Sequence, residues 1–156
     1  MEPVVKNYHA FKAVGMKVTG QNMNNEISNM WKEYFSKSQS LKNVKEGGYY
    51  YGVCSPMSQN TKEKGFDYIA CREVNNFNDV PEGMVTVDIP EGKYAMFTYK
   101  GNIMKISTIY NYIFGEWVKK TDMKPDNDRN DFELYDERFK GEEDDSELDI
   151  YIPIKD

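Results

Sequence analysis

The chain predicts an α+β fold: two strand-helix-strand-strand units in one antiparallel sheet, two main helices, and a central cleft for a ligand. Three observations predict it. Two helical apolar stripes recur at a constant offset of 79 residues, Ile27 answering Ile106. Each stripe is preceded by one strand-like run and followed by two. Each opening strand ends on a glycine, Gly20 or Gly101.

The first unit begins with the strand-like run Phe11 to Thr19, closed by Gly20. Ile27, Met30, Trp31, Tyr34 and Phe35 then fall at i, i+3, i+4, i+7 and i+8, the stripe of an amphipathic helix. Asn24 or Asn25 is placed to cap its start. Lys42 to Gly48 reads as a loop, with Gly47-Gly48 as the breaker. Tyr49 to Cys54 and Phe66 to Val74 follow as a paired hairpin across a polar, turn-rich connection.

The second unit starts after a linker from Asn75 to Gly83, with Met84 to Pro90 leading into the strand Lys93 to Lys100. Ile106, Ile109, Tyr110, Ile113, Phe114 and Trp117 form the second helical stripe. Phe132 to Glu137 and Ser146 to Ile154 make its hairpin, around an acidic loop. The reading is one domain over 1–156, with an internal repeat spanning about 11–74 and 84–154. Halves related in this way leave a cleft between them, a common place for a ligand.

Composition excludes several classes. One histidine, His9, in what reads as a mobile N-terminus, rules out a multi-histidine metal site and leaves little for a Ser-His-Asp triad. C-x-x-C, P-loop and dinucleotide glycine patterns are absent, so neither metal nor cofactor is expected. Cys54 and Cys71 read as buried thiols in a reducing compartment. With no leader pattern and no apolar run near the ~20 residues of a membrane span, the expected place is the cytoplasm, away from membrane. Net charge is −6, and Thr121 to Asp149 sets thirteen acidic residues against Lys124, Arg129, Arg138 and Lys140. That bias disfavours nucleic acid as a direct partner and favours a cation.

An aromatic excess remains, with carboxylates among it. Twelve tyrosines are many for a core, because each buried hydroxyl wants a partner. Tyrosine edges and aromatic faces around a carboxylate would suit a flat apolar cation, at ~0.5–2 kcal/mol per cation–π contact. Glu133 sits between Phe132 and Leu134, so on a strand it points away from both. Periodicity alone favours a solvent-facing glutamate, since this residue is rarely fully buried.

The ordered set P-E-G-M-V, I-P-E-G-K-Y-A-M-F-T-Y-K-G, I-Y-N-Y-I-F-G-E-W, D-F-E-L-Y-D-E-R-F and S-E-L-D-I-Y-I-P-I resembles the GyrI-like small-molecule-binding domain. That domain is also the effector-binding module of some AraC-type and MerR-type multidrug regulators. The resemblance covers about Phe11 to Ile154 and is strongest from Pro81 onward. It implies a cleft for amphipathic, often cationic, compounds, with Glu133 as the family's buried glutamate facing it. Trp117 matches the family's tryptophan after the second helix. Tyr68, Tyr110 and Tyr151 are further candidate ligand-binding residues. Because nothing before Phe11 reads as a DNA-binding segment, a stand-alone form is expected.

Two alternatives accompany that reading. Some stand-alone relatives are hydrolases of reactive cyclopropane-bearing aromatic toxins. Glu133 would then be the general base, with Tyr110 or Tyr151 as donor. Gyrase-inhibiting members suggest instead a protein partner for the acidic segment.

Overall fold

The computed structural model describes residues 1–156. Eight strands form one sheet: β1 (Val4–Tyr8), β2 (Phe11–Gly20), β3 (Tyr50–Cys54), β4 (Phe66–Val74), β5 (Val85–Ile89), β6 (Gly92–Lys100), β7 (Phe132–Tyr135) and β8 (Glu147–Pro153). Every pairing is antiparallel, and the order is β1-β6-β8-β7-β3-β4-β2-β5. Helix α1 (Glu26–Ser38) follows β2, and α2 (Ser107–Tyr112) follows β6. The second helix continues through a π-helical turn, Ile113–Trp117, into a last turn, α3 (Val118–Lys120). This is the α+β arrangement expected from the two stripes. No helix is long and apolar enough to cross a membrane.

The strand order forces the sheet to curl. Only His9 and Ala10 join β1 to β2, and only Pro90 and Glu91 join β5 to β6. Each of these pairs lies six strands apart in the sheet. Six spacings of ~4.8 Å would separate them by ~29 Å in a flat sheet, yet three Cα–Cα steps reach ~11 Å. The sheet therefore wraps around one face. Tyr8, Phe11, Tyr51, Val87, Tyr94, Phe132 and Tyr151 fill that inner face as one apolar cluster. The helices cover the outer face, α1 through Met30 and Tyr34, and the second helix through Ile109 of α2 and Ile113 and Trp117 of its π-helical turn.

Three local expectations change. The N-terminus is a strand, not a mobile tail: Val4 to Tyr8 pairs with Met96 to Gly92. Only Tyr8 of its five residues is buried, so the segment carries no alternation that would mark it. Asn25 takes the N-cap position in a left-handed conformation without a side-chain bond. Asn22 Oδ1 accepts from the Ile27 N–H instead, at 3.0 Å. Finally, Phe35 belongs to the apolar stripe but is 58% exposed, lying over Tyr50 at 5.8 Å between ring centroids.

Tyr8 ties the edge strand to the centre of the sheet. Its hydroxyl bonds that of Tyr51 at 2.5 Å, and its ring packs tilted against Phe132 and Tyr151. Tyr8→Ala is expected to cost about 3–5 kcal/mol, the range for deleting a large buried aromatic. Tyr8→Phe removes only the hydroxyl pair and should cost about 1 kcal/mol. Urea denaturation of the two variants measures both, and equal costs would mean that the ring is not what anchors β1.

Candidate functional site: a tyrosine-bound carboxylate beneath the helices

Side-chain alternation on the central strand sets the site. Phe132 and Leu134 of β7 point into the wrapped core, so Glu133 and Tyr135 point outward, under the helices. There Glu133 is 5% exposed. Three tyrosines from three elements converge on it. Tyr68 of β4 donates to Oε1 at 2.6 Å, Tyr135 of β7 to Oε1 at 2.8 Å, and Tyr110 of α2 to Oε2 at 2.6 Å. From α1, the Trp31 indole N–H donates to the Tyr68 hydroxyl at 2.9 Å. The Trp31 and Tyr135 rings lie 5.1 Å apart. Both helices thus reach one carboxylate, one directly and one through a tyrosine.

Gly52 makes this convergence possible. It is the cross-strand partner of Glu133 on β3 and faces the same side of the sheet. A Cβ at Gly52 would collide with the Tyr68 hydroxyl and come within 2.5 Å of Glu133 Oε1. The missing side chain is the space through which Tyr68 leans over β3 to the carboxylate.

The electrostatics follow from burial. Desolvation pushes the Glu133 pKa above the usual carboxylate range, and the three tyrosine hydrogen bonds pull it only part of the way back. Burial, together with the nearby Glu133 charge, drives Tyr68, Tyr110 and Tyr135 well above the ordinary tyrosine value, so all three remain donors. No lysine or arginine pairs with Glu133. The other buried carboxylates with firm partners contrast with it: Glu73 has Lys45 at 3.3 Å, and Asp149 has Arg138 at 2.7 Å.

Of the five residues singled out from the sequence, the structure brings Glu133, Tyr68 and Tyr110 together. Trp117 lies in the core under α2, edge-on to Phe97 at 5.0 Å, and makes no hydrogen bond to Glu133. Tyr151 sits on the opposite face of the sheet: β8 pairs it with Phe132, so it stacks on that ring at 4.8 Å inside the wrapped core. Three contributors were not singled out for the site: Trp31, Tyr135 and Gly52. The 79-residue offset already aligns Trp31 with Tyr110, and alternation puts Tyr135 on the face of Glu133. Nothing local to Gly52 announces its role.

This arrangement lies within a match to a known family over residues 1–155, described as the GyrI-like small molecule binding domain. The chain belongs to that family. Among characterised proteins it is 32% identical, over 96% of its length, to the transcriptional regulator BrlR of Pseudomonas aeruginosa. The chain spans 57% of that relative, a little over half its length. Among solved structures, SAV2435 bound to tetraphenylphosphonium superposes with a TM-score of 0.77 at 18% identity, covering 99% of this chain and 94% of the other. The C-terminal domain of EcmrR superposes at 0.73 and 16% identity, covering 99% and 97%. An integron cassette protein of Vibrio cholerae gives 0.68 and 20%, covering 99% and 96%. At these identities the three structures establish the shared fold.

Gly52→Ala is expected to separate Tyr68 from Glu133 and to cost about 1–3 kcal/mol through overpacking. The Trp31 indole N–H resonance, bonded to Tyr68, should move with it. An unchanged resonance together with unchanged stability would show that the site has room for the methyl group.

Proposed function

We propose that this GyrI-like domain binds aromatic, lipophilic cations between α1 and α2, with Glu133 supplying the charge that recognises them. The observation that carries this reading is a buried carboxylate held by three neutral tyrosine hydroxyls, with no cationic side chain beside it. Such a group has an unspent negative charge in a low-dielectric surrounding, where attraction to a cation is far stronger than in water. The rings of Trp31, Tyr110 and Tyr135 are half-buried and lie over it. Once parted they would offer their faces to the same cation. Tetraphenylphosphonium, found on SAV2435, is a ligand of this chemistry: four aromatic rings around a charge without hydrogen-bond donors.

Binding in this mode requires aromatic rings to part over Glu133, since the carboxylate is nearly covered. It also favours the ionised carboxylate. Because burial raises the Glu133 pKa, lowering the pH through that raised value protonates the group and weakens cation binding. Above that value the full affinity is restored. In the range where empty Glu133 is still protonated, cation binding should release a proton.

Tetraphenylphosphonium tested against triphenylphosphine oxide separates charge from shape. A cation at a hundred times its Kd stabilises the fold by about 2.7 kcal/mol, a shift of several degrees. The cation should raise Tm and the neutral oxide should not. Glu133→Gln should weaken the cation at least tenfold, about 1.4 kcal/mol or more. Calorimetry in buffers of differing ionisation enthalpy should register the released proton. Equal affinity of wild type and Glu133→Gln for the cation would overturn the reading.

A further inference from the structure

Four carboxylates are buried: Glu73, Asp131, Glu133 and Asp149. Glu73 and Asp149 have cationic partners, and Glu133 has its tyrosines. Asp131 has neither. It is 6% exposed, and the donors beside its carboxylate are its own backbone N–H and the Cys54 thiol, a weak donor. It lies two residues before Glu133, yet it opens onto a different space. That space is a cavity of about 370 Å³ walled by Phe114, Val118, Met57 and Ile152, with Asp131 at its side. Glu133 does not line it.

The cavity's other charges are spent. Asp126 and Arg129 pair with each other at 3.1 Å. The same guanidinium donates to the carbonyls of Lys93 and Ile154 and lies 5.0 Å over the Tyr94 ring. Asp131 is therefore the one charge facing this space without an ionic partner, beside the apolar walls of Phe114, Val118 and Ile152. Phe114 also stacks parallel to Tyr110, with centroids 6.2 Å apart. One helix thus carries the ring that walls this chamber and the ring that bonds Glu133.

We propose that this cavity is a second ligand site, for a hydrophobic primary amine whose ammonium group hydrogen-bonds the Asp131 carboxylate while its apolar body packs on Phe114 and Val118. The volume falls at the small end of the ~300–1,000 Å³ usual for ligand pockets, which suits one ring with a short chain. A donor-bearing ammonium fits here because a buried carboxylate without an ionic partner gains charge-assisted N–H bonds from it. A donorless cation such as a phosphonium gains no such bonds. The two sites therefore divide ligands by the chemistry of the cation. This inference does not rest on cation binding at Glu133.

The pH response has a defined sign. Burial, with the neighbouring Glu133 charge adding to it, raises Asp131 to about 7. The groups facing it are the Cys54 thiol, Glu133 and Tyr110, with the Asp126–Arg129 pair across the cavity. The amine stays protonated throughout. Affinity should thus fall roughly tenfold between about pH 8 and about pH 6, as the carboxylate takes up its proton.

Calorimetric titration with phenethylamine, and with phenethyl alcohol as its uncharged counterpart, tests the assignment. The amine should bind the wild-type chain at about pH 8 at least ten times more tightly than the alcohol. Asp131→Asn should reduce the amine to the level of the alcohol, while tetraphenylphosphonium stays within about twofold of its wild-type affinity. Val118→Trp, at a half-exposed wall position, adds bulk to the cavity while leaving Asp131 in place and should also weaken the amine at least tenfold. No heat with the amine up to about 10 mM would overturn the proposal. So would wild-type affinity in Val118→Trp, or loss of the amine in Glu133→Gln with retention in Asp131→Asn.

Discussion

The geometry over the centre of the sheet depends on one carboxylate and the three hydroxyls that hold it. A buried, ionised glutamate without a cation is costly, and each tyrosine bond recovers part of that cost. The donors come from β4, β7 and α2, so satisfying Glu133 also sets where α2 lies on the sheet. Trp31 extends the chain to α1 by donating to Tyr68. Removing the negative charge would change the balance of this network more than its shape, because glutamine has nearly the volume of glutamate.

The opposite face explains how such a group is tolerated. Phe11, Tyr51, Phe132 and Tyr151 form a continuous aromatic layer directly behind the strand that carries Glu133. That layer holds β7 through Phe132 and Leu134, the neighbours of the glutamate in sequence. The strand is thus fixed by its apolar alternation, and the polar residue between them is presented without contributing to the packing. Tyr51 and Tyr8 spend their hydroxyls on each other and leave the ligand side unaffected.

Much of this was legible in the residues, and the remainder was hidden for identifiable reasons. Long amphipathic patterns located α1 and the start of α2, and β4 appears with the ends that its apolar run suggested. Alternation showed that Glu133 faces away from Phe132 and Leu134 but read alone favoured solvent, and only the family resemblance pointed to a buried site residue. Tyr151 was grouped with it through the family resemblance, but its facing depends on the pairing Phe132–Tyr151, which no single strand reveals. Val4 to Tyr8 is an edge strand with mostly exposed side chains, so its pairing leaves no periodic trace. Trp117 continues the buried stripe with Ile109 and Ile113, and the π-helical turn at Ile113–Trp117 left no trace in that spacing. Gly52 matters for what it lacks, and an absent side chain is easily read as strand punctuation.

The two short crossovers have a mechanical consequence. Because β1 is hydrogen-bonded to β6 while only two residues connect it to β2, each end of the sheet is leashed to the other. Pro90 and Glu91 apply the same restraint from β5 to β6. Neither half can swing outward like the cover of a book without pulling a strand from its neighbour. The sheet therefore behaves as a stiff, closed hoop, and room for a guest has to come from the helices and rings that ride on its outside.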